Sequence, residues 1–126
     1  MEITFLWSNR VILTLAVAFA VHTVHAKEVK CPSYQGKSAL STVDLFDGPP
    51  EERADLMPDV SKGNADHAYA SWEVGYIFDK GRNLFLICHF SGSDDADGMK
   101  IKVEKKVQRC IFRTHGSGKP AELTCK

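Results

Sequence analysis

No apolar run in this chain approaches the roughly 20 residues that a membrane-spanning helix needs. The longest covers residues 11–21 and holds 11. Excess charge of one sign is also missing: 16 basic side chains balance 16 acidic ones. That excludes bulk attraction to nucleic acid or to an anionic membrane. The chain has no CxxC pair and no cluster of histidines, which argues against a zinc site. It has no GxSxG, no HExxH and no complete phosphate-binding loop, so no catalytic constellation is recognisable and no cofactor is implied. Internal repeats and low-complexity tracts are absent too.

What is present begins with an address. Arg10 precedes the apolar run, and Val24-His25-Ala26 offers small or β-branched residues at the −3 and −1 positions of a cleavage site. A charged start, a short apolar core and such an exit read as a secretory signal peptide over residues 1–26. No cysteine stands at the cleavage point, so a lipid anchor is not implied. The remaining residues, 27–126, are short enough for a single domain.

Export changes the meaning of the four cysteines, Cys31, Cys88, Cys110 and Cys125, all of which follow residue 26. An even number in a short exported chain reads as two disulfides, with three possible pairings. Cys110 and Cys125 are equidistant from the Ser117–Gly118 junction, inside the turn-rich His115-Gly116-Ser117-Gly118-Lys119-Pro120. If that junction is a hairpin tip, the two cysteines face each other across the strands. Cys31 is then left for Cys88.

Alternating apolar and polar side chains predict strands over residues 39–46 (with one imperfect step), 69–78, 83–90, 99–103, 107–114 and 121–125. In the second, Ala70, Trp72, Val74, Tyr76 and Phe78 form the expected buried face. Asp79-Lys80-Gly81-Arg82 reads as a hairpin connection to the third, where Leu84, Leu86, Cys88 and Phe90 share one face. Asp47-Gly48-Pro49-Pro50 breaks the first strand, residues 51–56 read as a helical turn, Pro58 stops it, and residues 59–67 read as surface loop. The sum is a mainly all-β fold. It is a small antiparallel meander, curled or shaped as a barrel or sandwich, with one short helical turn and two disulfides.

Individual polar residues fit structural roles. Ser93, Asp95, Asp97, Gly98 and Glu104 occupy places of a calcium-binding loop, but Ser93 stands where Asp is needed and the flanks read as strands, so no metal is expected. His89 reads as a strand histidine with a hydrogen-bond partner. The arrangement of charge says more. Residues 44–97 carry twelve acids and four bases, net −8, whereas residues 98–126 carry eight bases and two acids, net +6. Either the opposite charges interleave on folding, or an acidic face forms around Asp47, Glu51, Glu52, Asp55 and Asp59, joined by Asp94, Asp95 and Asp97 of the following turn. Such a face would steer a basic protein partner. With Gly48, Pro49 and Pro50, these residues make up the expected partner-binding surface.

The order of features resembles a known family. Cys31-Pro32 opens the exported part, followed by Asp47-Gly48-Pro49-Pro50, Leu56-Met57-Pro58-Asp59, a strand with Trp72, Leu86-Ile87-Cys88-His89-Phe90, and finally Cys110 and Cys125. This is similar to a family of small periplasmic four-cysteine proteins of Gram-negative bacteria. Some of its members resemble immunity proteins for type VI secretion effectors with an L,D-transpeptidase-like fold, and their genes often lie beside effector genes. The resemblance implies a periplasmic, non-catalytic protein that occludes a peptidoglycan-modifying effector. A periplasmic inhibitor of lysozyme and a non-catalytic envelope structural or stress protein are the alternatives.

Overall fold

A computed structural model describes residues 28–92 and 98–126. The leader over residues 1–26 and the acids Asp94, Asp95 and Asp97 lie outside the described residues.

The described residues form nine antiparallel strands in two sheets. The first sheet joins β1 (Val29–Lys30), β9 (Glu122–Cys125), β8 (Arg109–Arg113), β5 (Ala68–Glu73) and β4 (Val60–Gly63), in that order. The second joins β2 (Tyr34–Gln35), β3 (Ser38–Asp47), β6 (Leu84–Phe90) and β7 (Met99–Val103). The sheets do not close into a barrel. They share one core. Leu40, Leu45, Leu84, Leu86 and Phe90 come from the second sheet, and Trp72, Cys110, Leu123 and Cys125 from the first.

The alternation patterns hold where both faces of a strand differ. In β6 every second residue from Leu84 to Phe90 is buried, and in β7 Lys100 and Lys102 point outward. The imperfect step in the first predicted strand is a register shift between Leu40 and Thr42, which re-phases β3 so that Leu45 also faces the core. The final hairpin pairs Cys110 with Cys125, Ile111 with Thr124 and Phe112 with Leu123, the register that the cysteine spacing predicts.

Both expected disulfides form. Cys110–Cys125 bridges adjacent strands. Cys31–Cys88 has the larger reach: Cys31 follows β1 and donates its backbone N–H to Leu123 O at 3.3 Å, so this bridge ties the first sheet to β6 in the second.

Three sequence expectations are corrected. The segment read as loop over residues 59–67 contains β4, an edge strand exposed along its whole length. Its lack of a buried face removes the alternation by which a strand is recognised. The strand expected over residues 69–78 ends at Glu73, and Gly75–Asp79 forms a short helix, α1. Val74 and Ile77 are both fully buried, three residues apart, which is helical spacing. Tyr76, expected inside, is therefore turned outward.

The third correction follows. Residues 79–82 do not connect a hairpin; they cap α1. Arg82 N–H donates to Ile77 O at 3.1 Å and Gly81 N–H to Phe78 O at 3.0 Å, with Gly81 at φ 74°. This paired closure needs a left-handed residue, and glycine adopts it without a Cβ penalty. β5 accordingly pairs with β4 and β8, while β6 pairs with β3 and β7. The helix carries the chain from one sheet to the other.

Candidate protein-binding face

The loop after β3 is closed on itself by its own backbone. Gly48 turns at φ 84°, and its N–H donates to Asn83 O at 2.9 Å. Pro50–Glu52 then makes one 3-10 turn, shorter than the helical turn expected over residues 51–56 and starting one residue earlier. Proline suits this start because it brings a preset φ and needs no amide partner. Arg53, at φ 59°, reverses the chain. Asp47 N–H donates to Ala54 O at 3.1 Å, Phe46 bridges to Asp55, and Leu56 N–H donates to Leu45 O at 2.9 Å.

The returning segment is anchored to the first sheet. Trp72 Nε1–H donates to Leu56 O at 3.0 Å, and Asp59 N–H donates to Ser71 O at 2.8 Å. Asp59 Oδ2 accepts the N–H of Glu73 at 2.6 Å. The loop thus spans the ends of both sheets.

Arg82, placed by the cap of α1, reaches back into this loop. Its Nε donates to Asp47 Oδ1 at 2.7 Å and its Nη2 to Asp47 O at 3.2 Å and to the Glu52 carboxylate. The hydrogen bonds to Asp47 and then Glu52 raise the guanidinium pKa further above its already high range, so the clamp is permanently charged. A side chain at position 48 would overlap that guanidinium and also meet an unfavourable φ.

Folding undoes part of the charge segregation. Lys100 lies 3.6 Å from Glu51, Lys106 lies 2.6 Å from Asp79, and Arg109 Nε donates to Glu73 at 2.6 Å. Each of these pairs joins the acidic stretch to the basic one. Asp55 and Asp59 have no ion-pair partner among the described residues. Of the five acids in residues 47–59, Asp47 and Glu52 pair with Arg82, and Glu51 with Lys100. Interleaving thus takes up most of the charge of this segment, and Asp55 and Asp59 are the acids it leaves.

Apolar groups accompany these acids. Met57 is 84% exposed, Val60 46% and Tyr76 43%. Tyr76 lies within the field of Asp47 and Asp59. Partial burial, then those two carboxylates, raises its phenol pKa above the ordinary value. Lys80 Nζ sits 5.2 Å from the Tyr76 ring centroid.

Of the residues expected to bind a partner, Asp47, Pro49, Pro50, Glu51, Glu52, Asp55 and Asp59 belong to one continuous surface segment, within which Gly48 is buried. Met57, Tyr76, Trp72 and Arg82 were not among them. Tyr76 was hidden by the strand reading of α1, and the spacing of Val74 and Ile77 is the signal that would have turned it outward. Arg82 acts across 35 residues of sequence, for which no local pattern exists.

Elsewhere, His89 Nε2 lies 2.7 Å from Asp44 Oδ2, the partnered strand histidine that was expected. The Gly116-Ser117-Gly118-Lys119 tip lines an open groove of about 440 Å³ with Lys37, Ser41 and Asp66. Among the described residues no group of His, Cys, Asp and Glu could hold a metal ion, and no cysteine is free. No helix among them is long and apolar enough to cross a membrane.

Residues 35–126 match the model of a family described as the type VI secretion system Tli immunity protein. No curated protein and no solved structure matches the chain.

Proposed function

Since the chain belongs to the type VI secretion system Tli immunity protein family, we propose that it protects its cell by binding a cognate effector and covering that enzyme's active site. Its contact surface is the face built by residues 47–59. The observation that carries this reading is the loop itself: acidic, exposed, and held at both ends by backbone bonds to Leu45 and Ser71. Binding by a fixed loop avoids the ordering cost that a mobile one would incur. Inhibition of this kind is stoichiometric and needs no catalytic group of the inhibitor. Family membership favours immunity over a lysozyme inhibitor or an envelope structural protein.

The place of action is the periplasm. Two disulfides suit an oxidising compartment, and the sequence of residues 1–26 has the form of an export signal. The intact mass of the protein recovered from periplasm is expected to correspond to a chain starting at Lys27 and oxidised at all four cysteines. A mass that retains residues 1–26, or a protein found only in the cytoplasm, sinks this part.

The surface is tested by charge reversal. Glu51→Lys with Asp55→Lys is expected to slow association with the effector about tenfold at low ionic strength, with the difference shrinking as salt rises. A second variant reverses Asp94, Asp95 and Asp97. If both leave association and neutralisation at wild-type levels, the acidic face is not the contact surface. The resemblance supplies the effector's substrate, peptidoglycan. Digestion of purified sacculi by the effector is expected to stop when this protein is added. An effector that spares sacculi yet is neutralised removes the substrate assignment and leaves the occlusion in place.

A further inference from the structure

Met57 is the most exposed large apolar side chain among the described residues, and hydrogen bonds of its neighbours hold the chain on both sides of it. On one side Leu56 gives its N–H to Leu45 and takes the Trp72 indole N–H on its carbonyl. On the other, Pro58 restricts the backbone of Met57, and Asp59 N–H is bonded to Ser71 O. An apolar side chain held into water by four constraints gains nothing for the fold. The same constraints prepay the ordering that binding would otherwise require. Tyr76 is held close to this segment from both ends of α1: Asp59 Oδ2 accepts the N–H of Glu73 at 2.6 Å, three residues before Tyr76, and Arg82, which caps the helix, donates to Asp47 Oδ1 at 2.7 Å.

We infer that Met57 and Tyr76 are the anchors of the effector interface, and that the surface they enter is an apolar pocket on the effector rimmed by lysine or arginine. This rests on the immunity reading and says where its binding energy lies. Anchors of this kind pack in a desolvated centre while charges at the rim act on encounter. Methionine fills irregular pockets well, and tyrosine combines a large apolar ring with a polar tip. Asp55 and Asp59, which have no ion-pair partner among the described residues, supply the negative charge that a basic rim would match. A second copy of this chain is the wrong occupant, because it would set these acids against their own equivalents.

The test is the association and dissociation kinetics of the full exported chain with its purified cognate type VI effector. Burying a methionine side chain corresponds to about 10–100-fold in affinity. Met57→Asp is expected to raise Kd by at least about 100-fold, mostly through faster dissociation, and Met57→Leu to stay close to wild type. Tyr76→Ala is expected to act in the same direction, and Tyr76→Phe to retain most of the affinity. The melting temperature of Met57→Asp should match wild type, since the side chain is 84% exposed, so that variant decides the matter even if Tyr76→Ala folds poorly. Wild-type binding with Met57→Asp within twofold of it overturns the inference while the immunity reading stands. If the wild-type chain forms no complex at all, both fall.

Discussion

Replacing Cys31 and Cys88 together by alanine is expected to lower stability by about 4 kcal/mol, the chain-entropy value for a bridge of this span. The cysteines are 57 residues apart in sequence, against 15 for Cys110 and Cys125, for which the same relation gives about 3 kcal/mol. Geometry widens the gap between them. Cys110 and Cys125 are already direct partners in a hairpin, so that register persists without the bond. Cys31–Cys88 holds together two sheets that share a core but no ladder. Cys88, Cys110 and Cys125 are all fully buried, so a small cavity adds to the cost of either alanine pair and does not separate them. In a domain whose net stability is on the order of 5–15 kcal/mol, this is a large share. The melting temperature should fall by roughly 20 °C. A fall of less than about 5 °C, or a larger loss from the Cys110 and Cys125 pair, would contradict this account of the cross-link.

The second large effect is expected at Trp72. Trp72→Ala should cost about 3–5 kcal/mol, the range for deleting a large buried aromatic side chain. Trp72 is 6% exposed and belongs to the core cluster, yet its indole N–H reaches Leu56 O at 3.0 Å. One residue therefore fills the core and holds the loop over residues 47–59. Trp72→Phe separates the two roles. It keeps most of the apolar contact and loses the hydrogen bond, at about 1 kcal/mol. Urea denaturation measures both costs. Amide exchange at Asp59 and Leu56 should quicken in Trp72→Phe more than exchange in β6 does. Uniform exchange across both places would show that the indole hydrogen bond does not tie the loop down.

The parts of the fold that were legible share a physical feature: each is encoded by neighbours in the chain. β6 and β7 show clean alternation because each has one face in the core and one toward water or long polar side chains. The last hairpin is legible because its turn residues and two cysteines lie within one short segment. β4 was not, because an edge strand exposed on every residue carries no alternation. α1 was not, because over five residues Val74 and Ile77 fit helical spacing, while Val74, Tyr76 and Phe78 fit a strand equally well. Gly81 was read correctly as a turn residue and assigned to the wrong turn, since a left-handed glycine serves a helix cap as readily as a hairpin.

The candidate face divides in the same way. Its acids and prolines stand together in the sequence and were visible there. Its clamp and its tether were not, because Arg82 and Trp72 reach the loop across 35 and 16 residues of sequence, and the exposure of Tyr76 depends on the helical turn of α1.

By itself, then, the sequence determined the β class, the two cysteine pairings, the acidic loop and a resemblance to an immunity family, and it excluded recognisable metal and catalytic motifs. The tertiary structure decided that the strands divide between two sheets, that much of the apparent charge segregation is cancelled by pairs such as Glu51–Lys100 and Asp79–Lys106, and that Met57 and Tyr76 are exposed among the remaining acids. The reason is one of range. Periodicity, turn chemistry and cysteine spacing act over a few residues, whereas ion pairing and exposure depend on which distant segments the core brings together.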